Sequence, residues 1–154
     1  MKLRILVVGR GGVGWADEAV ADYGKRLGRY AKLEEKRLRK ARFRGDVDAV
    51  REVEGRSILA EVGPRDHLVV LDERGAAVDT DGFTELIEQC RTRGVHRLCF
   101  AIGGPYGHAP AVREAAWRVI RLSSLVLNHE LARVVLYEQL YRGMTRIHGA
   151  PYHH

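Results

Sequence analysis

Leu98-Cys99-Phe100-Ala101-Ile102-Gly103-Gly104-Pro105-Tyr106-Gly107-His108 is the run on which the reading of this chain turns. Its first five residues are apolar and uncharged, too few for a helix and suited to a strand buried on both faces. The run then meets three glycines within five residues, a composition that neither helix nor strand favours. The backbone must turn there, and glycine lets something approach it closely. Downstream, Val119-Ile120-Arg121-Leu122 reads as a second strand running into a mixed loop, Ser123-Ser124-Leu125-Val126-Leu127-Asn128. Both loops leave strand ends, and in open α/β sheets ligands sit in the crevice at the carboxyl ends of strands. Glycine backbone with Leu71, Leu125 and Leu127 as walls suits a flat ring held by backbone groups. The plainer reading is a tight connection between a strand and a helix.

Outward from that run, the rest of the chain alternates strand and helix. Strands are predicted at Lys2–Gly9, Leu33–Leu38 and His67–Leu71, the last ending in a turn at Asp72-Glu73-Arg74-Gly75. Apolar residues at helical spacing predict helices over Ala16–Tyr30, from an Asp46 cap to Ala60, and from a Thr80 or Asp81 cap to Gly94. A short helix is expected near Pro110–Trp117 and a long one over Leu131–Met144. The alternation predicts an α/β fold, a mostly parallel sheet covered by helices on both faces, in a single domain spanning 1–154. The last helix carries apolar residues around well over half its circumference. That predicts a second surface to bury against, either the rest of the subunit or another copy of the chain.

Composition narrows the classes. At 154 residues, 45% hydrophobic and 30% charged, the chain can build one ordinary core. No apolar run approaches the ~18 residues of a membrane span. The opening strand-like residues do not read as a signal peptide, so a cytoplasmic protein with no membrane partner is expected. Cys90 and Cys99 have neither metal nor disulfide spacing and read as core fillers, and no metal site is expected. The net charge of +6 is focused: Lys25 to Arg44 holds ten basic and two acidic residues. That concentration is either a solvated face or a patch that tracks phosphates. Lys25, Arg26, Arg29, Lys36, Arg37 and Arg39 are the candidate nucleic-acid contacts.

Gly9-Arg10-Gly11-Gly12-Val13-Gly14 satisfies the dinucleotide fingerprint between a strand and a helix. The acids Glu34 and Glu35, however, stand near the start of the second strand instead of closing it, and no second domain remains for a substrate. An NADP-binding protein using these glycines is therefore a minor alternative to a flexible turn.

Several segments together resemble the RlmH family of ribosomal RNA methyltransferases, nearly end to end. They are Tyr23-Gly24-Lys25-Arg26-Leu27, Leu71-Asp72-Glu73-Arg74-Gly75, Ile102 to Gly107, Leu122 to His129, Leu140-Tyr141-Arg142 and Tyr152-His153. The resemblance implies a SPOUT-type fold with a deep carboxy-terminal trefoil knot, in about 67–154. It also implies a homodimer that uses S-adenosylmethionine to methylate N3 of a pseudouridine in 23S ribosomal RNA on the assembled ribosome. By the same resemblance, Leu71, Gly103, Gly104, Ser123, Ser124, Leu125, Val126, Leu127 and Asn128 would hold the cofactor. Asn128 stands where the family often has Pro or Thr.

Methyl transfer from a sulfonium is an in-line displacement, so alignment supplies much of the rate. The target nitrogen carries a proton that must be taken or its anion stabilised, and Arg142, Tyr152, His153 and His129 are the candidates. Competing readings stay open here. Arg142 can instead pair with Glu138, His129 can cap the helix, and the tail can fray or fold over the site. The competing function is a basic RNA- or ribosome-binding protein without catalysis.

Overall fold

Alternate residues of the first strand go to opposite sides of the sheet. In the computed structural model, which describes residues 1–154, Leu3, Ile5 and Val7 enter one apolar cluster while Leu6 and Val8 enter another. The strand at Leu98 sorts itself the same way: Leu98, Phe100 and Ile102 face one side, Cys99 and Ala101 the other. Near-continuous apolar runs are what a doubly covered parallel sheet demands.

The elements run β1 (Lys2–Val8), α1 (Gly14–Leu27), β2 (Lys32–Leu38), α2 (Val47–Leu59), β3 (Asp66–Ala77), α3 (Thr80–Thr92), β4 (Arg97–Ile102), α4 (Pro110–Ala115), β5 (Arg118–Arg121) and α5 (His129–Ile147). All five strands are parallel, in the order β2-β1-β4-β3-β5. α1, α3 and α5 fill one face through Leu27, Phe83, Ile87, Leu136 and Leu140. α2 and α4 cover the other through Ile58 and Val112. The edge strand β2 alternates charged and half-buried residues, which discourages pairing with a further strand.

Three expectations are corrected. Asp72 to Gly75 is not a turn that ends the strand but an irregular stretch inside β3, since Leu71 and Ala76 both pair with Ile120. Asp72 fastens the excursion by accepting the Arg74 backbone N–H at 2.9 Å. A Cβ on Gly75 would lie 2.7 Å from the Ile120 Cα and N, so only glycine lets β3 press this closely on β5. The third helix is capped by Asp79, not Thr80 or Asp81: its Oδ1 accepts the Gly82 N–H at 2.8 Å. The last helix begins at His129, and its cap is Asn128, whose Oδ1 accepts the Leu131 N–H at 2.9 Å. His129 is therefore the first residue of the helix and not its cap.

α5 packs into the subunit alongside α1 and α3. Leu136, Tyr137, Leu140 and Met144 are buried there, with Val134, Tyr141 and Ile147 packed against the same cluster. Most of the apolar circumference that suggested a second copy is thus covered within one chain. Leu131 remains 42% exposed.

Candidate active site

The irregular stretch of β3 and the carboxyl ends of β4 and β5 open into a cleft of about 710 Å³. Leu71 and Ile102 sit at its floor, the Gly103–Gly107 loop forms one wall and the Leu122–Asn128 loop the other. Every expected cofactor residue lines it except Ser124, and so does His129. Gly107 has φ +78° and turns its N–H back onto the Gly104 carbonyl at 3.0 Å, a conformation that favours glycine. Behind the wall there is no spare room. A Cβ on Gly104 would come within 2.9 Å of Glu54 Oε2, and one on Gly103 within 3.1 Å of the His108 ring. The opposite wall is held by Ser123, whose Oγ accepts the Leu125 N–H at 2.9 Å, and by the Asn128 cap. Leu125 and Val126 stand 75% and 78% exposed at its crest.

Three buried polar side chains support this cleft, and none was singled out from the sequence. Burial works against the charge of Asp72, but Arg74 donates to both its oxygens and holds its carboxyl at about 2. Arg113 stands 3.6 Å from the same carboxylate. Burial lowers the pKa of His108, which keeps its ring neutral at physiological pH. His108 Nε2 faces the Leu71 carbonyl at 3.1 Å, so that nitrogen carries the proton and donates. Glu54, 2% exposed on α2, is pushed upward in pKa by burial. Its Oε1 accepts the Ala41 N–H at 3.0 Å, and its Oε2 has no partner. Only the positions of these three groups in space mark them; no local pattern does. Arg51, Arg74 and Arg121 also line the cleft, with Asp72 and Glu73 among them.

Arg142, Tyr152 and His153 gather elsewhere. Arg142 donates through Nε to Glu138 at 2.9 Å, the helix pair foreseen as its alternative, and its guanidinium lies 4.7 Å from the Tyr152 ring centre. Tyr152 donates to Glu138 at 3.2 Å and meets the Tyr23 hydroxyl at 3.4 Å. Burial and these neighbours raise its pKa, so it remains a phenol. Arg142 Nη1 lies 3.2 Å from His153 Nδ1. A guanidinium can only donate, so Nδ1 accepts and the ring proton sits on Nε2. The tail is therefore docked on α5 and α1, not frayed. Arg142 lies thirteen residues beyond His129 on one helix, roughly 20 Å along its axis. Within one chain, the cluster and the cleft do not meet.

The basic segment divides. Lys36 pairs with Glu61 at 2.8 Å, and Arg26 pairs with Asp22. Arg37 is tied to Glu130 and Glu35 in a network around buried Arg133, which also binds Asp17. Arg37 thus helps hold β2 in place, while Lys36 and Arg26 each meet an acid at the surface. Lys25, Arg29 and Arg39 stay exposed. In the Gly9–Gly14 loop the Gly12 N–H donates to Asp17 at 3.0 Å, so the chain's own carboxylate occupies the donor a phosphate would need.

A family described as "Predicted SPOUT methyltransferase" matches residues 1–153. The chain belongs to the SPOUT methyltransferases. It is 41% identical over 153 residues to a ribosomal RNA large subunit methyltransferase H of Anaeromyxobacter sp. (strain Fw109-5), covering 99% of each chain. It is also 36% identical over 154 residues to the protein of that name from Geotalea daltonii, covering 100% of both. The resemblance to the RlmH family therefore holds across the whole chain. No helix is long and apolar enough to cross a membrane.

Proposed function

We propose that this SPOUT methyltransferase uses S-adenosylmethionine to methylate N3 of a pseudouridine in 23S ribosomal RNA on the assembled ribosome, in the cytoplasm, as a homodimer. The observation that carries the reading is the cleft. Its volume falls in the usual ~300–1,000 Å³ of small-molecule sites. Leucine walls and turned glycine backbone around it fit a nucleoside flanked by an amino-acid tail. When bound, the cofactor supplies an electrophilic methyl on sulfur. Leu71, Gly103, Gly104 and the Ser123–Asn128 segment bind and orient it.

Two copies are needed because one chain separates the cleft from Arg142, Tyr152 and His153. In the dimer, this cluster from one copy faces the cleft of the other. There N3 gives up its proton to solvent water, Arg142 holds the uracil oxygen that carries the resulting negative charge, Tyr152 donates from its phenol, and His153 donates from Nε2. His129 lines the cleft itself. The exposed Trp15, Leu125, Val126 and Leu131 lie at the amino ends of α1 and α5 and offer apolar surface for such pairing. The knot assigned to about 67–154 follows from membership of the SPOUT family. The exposed cations Lys25, Arg29 and Arg39 reach RNA phosphates.

The test is mass spectrometry of 23S RNA from ribosomes incubated with the protein and methyl-labelled S-adenosylmethionine. One labelled pseudouridine is expected, with the label on N3. RNA binding without any label would leave the non-catalytic alternative in its place.

A further inference from the structure

Phe43 is half exposed in the loop between β2 and α2, yet its position is well defined. Its ring stacks on Tyr106 with centroids 5.6 Å apart and planes 29° from parallel. Tyr106 belongs to the glycine loop and lines the cleft. The loop beneath Phe43 is braced on α2. Glu54 accepts the Ala41 N–H, Arg51 Nε donates to the Tyr106 carbonyl at 2.7 Å, and Asp46 caps the helix at the loop's end. On either side of Phe43 in the chain, Arg39, Lys40, Arg42 and Arg44 are exposed and paired with no acid, unlike Lys36 and Arg37 just before them.

We propose that the Phe43–Tyr106 pair is a stacking platform for one unpaired nucleobase of an RNA strand, at the rim of the cofactor cleft. An aromatic ring left in water among unpaired cations matches single-stranded RNA in two ways at once. The cations meet the backbone, and the open part of the ring meets a base, every base having a π-face. A polyanion alone would need no ring, and an apolar partner would not need four free cations. Because Tyr106 is also a cleft wall, a base stacked on Phe43 sits beside the cofactor site, so the platform registers the strand next to the nucleotide being modified. The proposal rests on the methyltransferase reading for the identity of the RNA, but its test does not.

The experiment compares binding of a short oligouridylate with an abasic oligoribonucleotide of equal length at one salt concentration. The platform predicts roughly tenfold tighter binding of the base-bearing strand by the native protein, the scale of one aromatic–base stack. Phe43→Ala removes that preference and leaves abasic binding unchanged, while Phe43→Trp keeps it. Phe43→Leu, which preserves apolar contact with Tyr106 but offers no ring, serves if the alanine variant melts early. Native protein that treats the two strands alike overturns the proposal, as does a preference that survives both Phe43→Ala and Phe43→Leu. Oligoglutamate binding as tightly as oligouridylate, and losing affinity in Phe43→Ala, assigns the surface to an acidic protein partner instead. A Phe43-dependent preference in a protein that labels no ribosomal RNA leaves the platform standing and removes the methyltransferase reading.

Discussion

At its amino end α5 borders a cleft of leucine and glycine backbone, floored by three parallel strands. At its carboxyl end it carries Arg142, paired with Glu138 and covered by Tyr152 and His153 of the docked tail. The first end is a cavity walled by apolar side chains and glycine backbone; the second is a charged and aromatic cluster packed on the helix. One continuous helix keeps the two apart. On the proposed reading, a working site draws one end from each of two copies, and that arrangement can be broken experimentally.

The largest effect is expected from mixing two dead variants. Gly104→Val drives a side chain against Glu54 and Val8 and displaces the wall, which should cost about 10²-fold or more in activity. Arg142→Ala should cost a similar factor while leaving the thermal shift produced by S-adenosylmethionine intact. If each site joins the cleft of one copy to the cluster of the other, a mixed dimer keeps one native site. Unfolding and refolding an equal mixture should then restore about a quarter of native activity. Labelling assays that stay at background after mixing would mean that both parts act within one chain.

A second prediction concerns what holds the cleft end rigid. Arg133 is buried, donating to Glu35, Asp17 and Glu130 from three different elements, and Tyr137 donates to the same Glu35 at 2.6 Å. Arg133→Met leaves three carboxylates short of a partner and should destabilise the fold by about 3–5 kcal/mol. Arg142→Ala, at the more open end, should cost under about 1 kcal/mol by the same denaturant titration. Equal losses would erase the contrast between the two ends.

Much of this contrast was legible from the residues. Periodicity placed every strand and helix, and the glycine run with the Leu122–Asn128 loop marked the cleft before any coordinates. The cap itself was misplaced by one residue, on His129 instead of Asn128, although Asn128 is a good capping type just ahead of a helical pattern. What escaped was whatever depends on residues distant in sequence. Asp72-Glu73-Arg74-Gly75 has the composition of a turn, and only the Ile120 backbone behind Gly75 shows why it continues a strand. Counting charge placed Arg37 on a phosphate-binding face, because Glu130, 93 residues away, cannot be seen in a local window. His108 and Glu54 have no motif at all; their roles come from being buried behind Gly103 and Gly104.

The smallest effect separates two carboxyls at the cleft end. Asp72 has its pKa depressed to about 2, so its contribution to stability is full above the ordinary 3.8 and is lost as pH falls below it. Glu54 is shifted the other way by burial. Its contribution is full below the ordinary 4.5 and is lost as pH rises through the raised value, where an unpartnered buried charge must form. A glutamine in place of Glu54 would keep an acceptor for the Ala41 N–H and never ionise. Glu54→Gln should therefore melt with the native protein in acid and above it at neutral pH and beyond, while Asp72→Asn should melt with it near pH 2 and below it at neutral pH. Melting curves across that range read both. A Glu54→Gln advantage that does not grow with pH would mean that Glu54 finds a partner for its second oxygen, and that the wall behind Gly104 is looser than its packing indicates.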